Sequence, residues 1–121
     1  MIEIKNEKIE PLPENMAQRY KEIYRLQATL TKDSECKSVK VDIHFFDGDD
    51  RKIRSILVKG LDQEGHAMTY FKNYYRNGQL SEGGVMKDGQ YQEPHVFFNE
   101  DGTPQANFVS KEIQKRLQKG M

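Results

Sequence analysis

Apolar residues along this chain recur with two periods, and the change of period separates a helical segment near the N-terminus from a β-rich remainder. Met16, Tyr20, Ile23, Tyr24, Gln27 and Leu30 follow the three- and four-residue spacing of one helical face, and only Gln27 interrupts it. Arg19, Lys21, Glu22 and Arg25 fall mostly on the other side. The helix is expected to start near Pro13 or Glu14, because proline suits a first helical turn, where its missing N–H would have no partner. The pattern predicts an amphipathic helix with one buried face, packed on the protein's own sheet or offered to a partner. Upstream, residues 1–9 alternate weakly, with Ile2 and Ile4 against Glu3 and Lys5, and read as a short edge strand or an arm that ends at Pro11-Leu12-Pro13.

After a polar loop from Thr31 to Ser38 the period falls to two. Val39, Val41, Ile43 and Phe45 share one side of a strand, with Lys40, Asp42, His44 and Phe46 on the other. Asp47-Gly48-Asp49-Asp50 makes the turn into a return strand over Lys52 to Lys59. Its Ile53 is out of phase with Ile56 and Val58, which predicts a bulge or two buried faces. A further turn, Leu61 to Gly65, leads into a strand from His66 to Tyr75. There Met68, Tyr70, Lys72 and Tyr74 share one face and Thr69, Phe71, Asn73 and Tyr75 the other. Aromatics stand on both, so neither face is simply wet.

Three turn signals follow: Arg76-Asn77-Gly78, Lys87-Asp88-Gly89 and Asn99-Glu100-Asp101-Gly102. Asn-Gly and Asp-Gly mark hairpins because these residues tolerate the positive φ that the turn demands. Gly83-Gly84, between Leu80 and Val85, predicts a bulge or bend, and Pro94 gives the strand Tyr91–Phe98 an edge position or a bulge. Gln105 to Val109 is expected to close the sheet. Ser110 then caps a short helix over 110–119, with Glu112 in its first turn and Lys115, Arg116 and Lys119 near its end, as the helix dipole favours. Ile113 and Leu117 are its only apolar stripe, so it needs docking to persist. The expectation is an α+β fold: a twisted antiparallel sheet of successive hairpins, about six strands, with the N-terminal helix on one face and a short C-terminal helix. It forms a single domain over 1–121, made of an arm and helix (1–32), a hairpin-repeat sheet (39–109) and the closing helix (110–119).

Composition narrows the function more than the fold. Charged residues make up 31% of the chain, yet the 19 basic and 19 acidic side chains cancel, with no basic stripe of the kind nucleic-acid binders carry. Six Tyr and six Phe argue against disorder. The lone Cys36 excludes an intramolecular disulfide and fits a reducing compartment. Without an apolar signal segment or membrane-length stretch, a soluble cytoplasmic protein is expected.

The search for chemistry yields no catalytic constellation. His44, His66 and His95 are not paired at ligand spacing, although His44 lies two residues from Asp42 on one strand face. Cys36 lies in the polar loop between Lys32 and Lys37, with no histidine motif beside it, and reads as a free surface thiol. The acidic turn at Asp47 fails as an EF-hand, since its sixth and twelfth positions hold Lys52 and Val58. No phosphate-binding glycine pattern is present. No metal or cofactor is expected.

The chain also repeats itself. Tyr74-Tyr75-Arg76-Asn77-Gly78 matches Phe97-Phe98-Asn99-Glu100-Asp101-Gly102 after one inserted residue, with the aromatic pairs 23 positions apart, and Phe45-Phe46-Asp47-Gly48 is a degenerate earlier copy. Periods of this size mark stacked supersecondary units. Through Tyr74, Tyr75, Asn77, Gly78, Leu80, Lys87, Asp88 and Gly89 the segment resembles the MORN-repeat variant found in bacterial antitoxins of the YwqK group. The likeness spans one good and one poor repeat, and Glu93-Pro94-His95-Val96 stands where that family has Gly-x-Trp. The resemblance implies a hairpin scaffold and a non-enzymatic, protein-binding role: an antitoxin or immunity protein that occludes a cognate toxin. A MORN-like scaffold or membrane-surface binder without a toxin is the alternative. The expected contacts are Tyr70, Tyr74, Tyr75 and Tyr91, with Arg76 and the acidic turn Asp47, Asp49 and Asp50, because tyrosine offers contact area at little rotamer cost. An uncovered sheet face has three candidate occupants: the terminal helix, a second copy of the chain in a homodimer, or a foreign protein.

Overall fold

The computed structural model describes residues 4–105. One helix, α1 (Met16–Asp33), precedes five strands: β1 (Lys37–Phe46), β2 (Asp49–Leu61), β3 (Ala67–Tyr74), β4 (Leu80–Lys87) and β5 (Gln90–Phe97). They form one antiparallel sheet in the order β1-β2-β3-β4-β5, a simple meander. The α+β class and the successive hairpins are as expected. Five strands are present among the described residues. The expected helix over 110–119 and most of the closing strand lie outside the described residues, where only Gln105 is seen, its N–H donating to Phe97 O at 3.2 Å. No helix among the described residues is long and apolar enough to cross a membrane.

The N-terminal segment is an arm, not an edge strand. It crosses the sheet from β4 to β2: Leu80 N–H donates to Glu7 O, Ile9 N–H to Gly78 O and Leu12 N–H to Arg51 O, at 2.9, 2.9 and 2.8 Å. Under the arm and α1 lies the core, Ile53, Ile56, Val58, Tyr74 and Leu80, flanked by Val39, Val41, Ile43 and Phe45 as their alternation predicts. The phase switch in β2 is a bulge: Phe45 pairs with Ile53 and His44 with Ser55, so Arg54 is the extra residue.

The helix is rotated from its expected setting. Asn15 caps it by accepting the Gln18 N–H at 3.1 Å, so it starts after Pro13 and Glu14. Leu26 and Leu30 pack against the core, and Arg19, expected on the polar side, is buried. Its guanidinium donates to Pro13 O and Glu14 O, each at 3.0 Å, and to Asp50 Oδ2 at 2.6 Å. Three acceptors fixed to the arm and the β1–β2 turn draw the Arg19 side inward and turn Met16, Tyr20 and Tyr24 out, so the expected stripe holds at Leu30 and fails at these three residues.

The irregularity expected at Gly83-Gly84 falls at Gly84/Val85, where Glu93 and Pro94 are extra on β5, the sheet's edge, and a second shift leaves Ser81 extra between Asn73↔Glu82 and Tyr74↔Leu80. The glycines also admit close neighbours. A Cβ on Gly83 would lie 2.6 Å from Ile4 on the covered face, and one on Gly84 would lie 2.5 Å from the Phe71 ring on the other face.

The turns show the repeat in backbone geometry. In 62–66, 75–79 and 99–103 the first residue's N–H donates to the fifth residue's carbonyl, and the fourth, a glycine, returns its N–H to the first. Gly65, Gly78 and Gly102 all have φ of 88°.

Candidate partner-binding surface

Antiparallel alternation gathers part of the predicted surface at one end of the sheet. The β1–β2 turn with Asp47, Asp49 and Asp50 stands there beside the β3–β4 turn with Tyr75 and Arg76. Arg76 bridges them, its guanidinium carbon 4.7 Å from the Phe46 ring centre. Tyr75 donates its hydroxyl to Phe98 O at 2.8 Å, and Asn77 donates to Glu100 O at 2.8 Å, which lays the two repeat turns side by side. Asp47 is exposed, Asp49 accepts the Arg51 N–H at 3.1 Å, and Asp50 holds Arg19.

The remaining three residues stand elsewhere. Tyr74 is buried, its hydroxyl donating to Glu7 Oε1 at 2.7 Å; burial first, and then the Glu7 charge, push its phenol well above the ordinary tyrosine range. Tyr70 is half-buried on the same face and pushed up by burial and then by the Cys36 thiol beside it. That contact gives the half-buried Cys36 a neighbour that its polar sequence context did not suggest. Tyr91 is exposed on the opposite face, stacked on His95 at 5.1 Å and edge-on to Phe71 at 6.0 Å.

The sequence reading allowed α1 to be offered to a partner but left its outer stripe out of the expected contacts. Met16, Tyr20 and Tyr24, at i, i+4 and i+8, are 51%, 53% and 70% exposed. The signal was present: α1 carries a second line, Arg19, Ile23, Leu26 and Leu30, whose leucines are better core residues than tyrosine. The stripe begins at the end that holds the acidic turn, because Arg19 is tied to Asp50, and Arg51 reaches Glu14 at 3.4 Å.

Two histidine settings carry chemical potential. His95 Nε2 lies 2.8 Å from Glu82 Oε2, and Asn73 donates to Glu82 Oε1 at 3.1 Å, so a carboxylate orients the imidazole. His66 meets Asp62 and Glu64 in the β2–β3 turn, the one group among the described residues whose donor atoms converge as metal ligands do. No family model matches the chain, and comparison with curated proteins and with solved structures finds no match.

Proposed function

We propose that this protein is a non-enzymatic protein-binding module that neutralises a toxin by covering it. One observation carries the binding role: the exposed Met16–Tyr20–Tyr24 stripe on a helix whose other side is locked to the sheet. A free helix would lose entropy on docking, whereas this one is held by the Arg19 fork before any partner arrives. Tyrosines on a rigid helix are suitable anchors, and the acidic turn with Arg76 supplies a charged rim. The toxin as partner rests on the repeat phrase Tyr74–Gly89 and its resemblance to bacterial antitoxins. The reading includes a cytoplasmic location and a closing helix over 110–119.

The test is affinity capture from lysate of the source cell, with the product of the neighbouring gene assayed as purified protein. The double substitution Tyr20→Ser, Tyr24→Ser should weaken capture by at least about 30-fold, the equivalent of a roughly 2 kcal/mol hot spot, with thermal melting unchanged. Unchanged affinity for a captured toxin would move the interface off the helix.

A second reading, a small acid–base enzyme, is favoured by the Asn73–Glu82–His95 chain. It requires that His95→Gln abolish a turnover while leaving partner capture intact.

A further inference from the structure

We propose that the β2–β3 turn is a transition-metal site, with zinc the best fit, ligated by His66 Nε2 and the carboxylates of Asp62 and Glu64 and oriented by Asp88 from the β4–β5 turn. It lies at the end of the sheet opposite the acidic turn and is independent of the protein-binding reading. One donor atom from each of Asp62, Glu64 and His66 falls within 4.8 Å of the others. His66 Nε2 and Glu64 Oε2 are 3.6 Å apart, too far for a good hydrogen bond. That gap suits a shared ion: ligand bonds of about 2.1 Å on a tetrahedral metal set neighbouring ligand atoms roughly 3.4 Å apart.

The imidazole is already turned for this. Its Nδ1 lies 2.8 Å from Asp88 Oδ2. A carboxylate accepts, so in the neutral ring Nδ1 carries the proton, and Nε2, which faces Glu64, is the nitrogen whose lone pair a metal would take. Asp88 is itself fixed: Oδ1 accepts the Ala67 N–H at 3.0 Å, and its own N–H donates to Ala67 O at 2.8 Å. Asp62 Oδ1 takes the N–H groups of Glu64 and His66, each at 2.9 Å, which leaves Oδ2 for a ligand.

The donor set selects the metal. A ring nitrogen with two carboxylates suits zinc and its neighbours, whereas calcium and magnesium prefer all-oxygen shells. The Lys87 ammonium, 3.8 Å from Asp62 Oδ2, must swing aside, and Glu64 is exposed. Both set the site at modest affinity and leave a coordination position to water.

The experiment is zinc titration of the full, untagged chain against a chromophoric chelator, with the His66 ring nitrogens followed by NMR. One zinc per chain is expected, with the Nε2 resonance shifting and no response to magnesium or calcium. His66→Asn and Glu64→Gln should abolish or strongly weaken binding. Asp88→Asn should weaken it about 10- to 100-fold, the usual cost of losing an orienting carboxylate. Asparagine keeps the left-handed backbone that Asp88 adopts (φ 50°), and circular dichroism verifies that each variant folds. Zinc bound equally well by wild type and His66→Asn is adventitious zinc only, and overturns the proposal, as does the absence of binding at millimolar zinc.

Discussion

The two faces of the sheet are dried in different ways. The covered face is largely aliphatic, with Ile56, Val58 and Leu80 lying beneath whole segments of chain: Ile4 and Ile9 of the arm and Leu26 and Leu30 of α1. On the other face no described helix lies, and Phe71 is nevertheless buried. Its ring rests over Gly84 and meets His95 edge-on at 5.6 Å, with Tyr91 standing 63% exposed beside them. One face buries by adding a layer, the other by lowering the sheet under a ring. Gly83 and Gly84, adjacent in sequence, admit Ile4 on the first face and Phe71 on the second.

The sharpest way to break this contrast is to empty each face in turn. Leu80 is the one fully buried large side chain among the described residues. Leu80→Ala should cost about 2–5 kcal/mol, because the hole sits beneath an arm that is hydrogen-bonded in place. Tyr91→Ala should cost only about 0.5–1.5 kcal/mol, the worth of its aromatic contacts. Urea unfolding of both variants provides the comparison. Equal losses would mean that the faces are held alike.

A smaller effect separates the glycines. Gly84→Ala forces its new methyl against the Phe71 ring, which Tyr91 and His95 confine, and should cost about 1–3 kcal/mol. Gly83→Ala meets Ile4, near the start of the arm, which can lift; it should cost less and speed hydrogen exchange at Ile9 and Leu12. Reversal of that order would show that the arm, not the ring, is the stiffer neighbour.

Much of this organisation is legible in the sequence, because strand alternation and Asn/Asp-Gly turns are local signals. The β1 face of Val39, Val41, Ile43 and Phe45, the bulge near Ile53 and the edge position of Pro94 all follow from them. The rotation of α1 does not. Period 3.6 admits two overlapping stripes that share Ile23 and Leu30, and what decides between them is Arg19, whose acceptors lie at Pro13, Glu14 and Asp50, the last 31 residues away. For the same reason Tyr74 looks like a surface anchor beside Asn77-Gly78, although the arm covers it. The carboxylates around His66 come from two turns, so the sequence shows Asp62-x-Glu64-x-His66 but hides Asp88.

The smallest effect tests how the arm seals the covered face. Tyr74 shares Glu7 Oε1 with Lys72, whose Nζ lies 2.8 Å from it. Tyr74→Phe therefore leaves the Glu7 carboxylate a cationic partner, and at neutral pH should cost only about 0.5–1.5 kcal/mol. The pH dependence is more diagnostic. Folding raises the Tyr74 phenol well above 10, so the folded state keeps a proton that the unfolded chain releases. Its stabilising contribution is complete below about pH 10 and declines as pH rises toward the folded value. Wild type should thus lose stability above pH 10, and Tyr74→Phe, with no phenol to ionise there, should lose it less steeply; Tyr70, raised by its own burial, keeps some slope in both. The check is the urea midpoint measured from pH 8 to 11.5. Parallel alkaline limbs would mean that water reaches Tyr74 and that the arm does not seal the face it crosses.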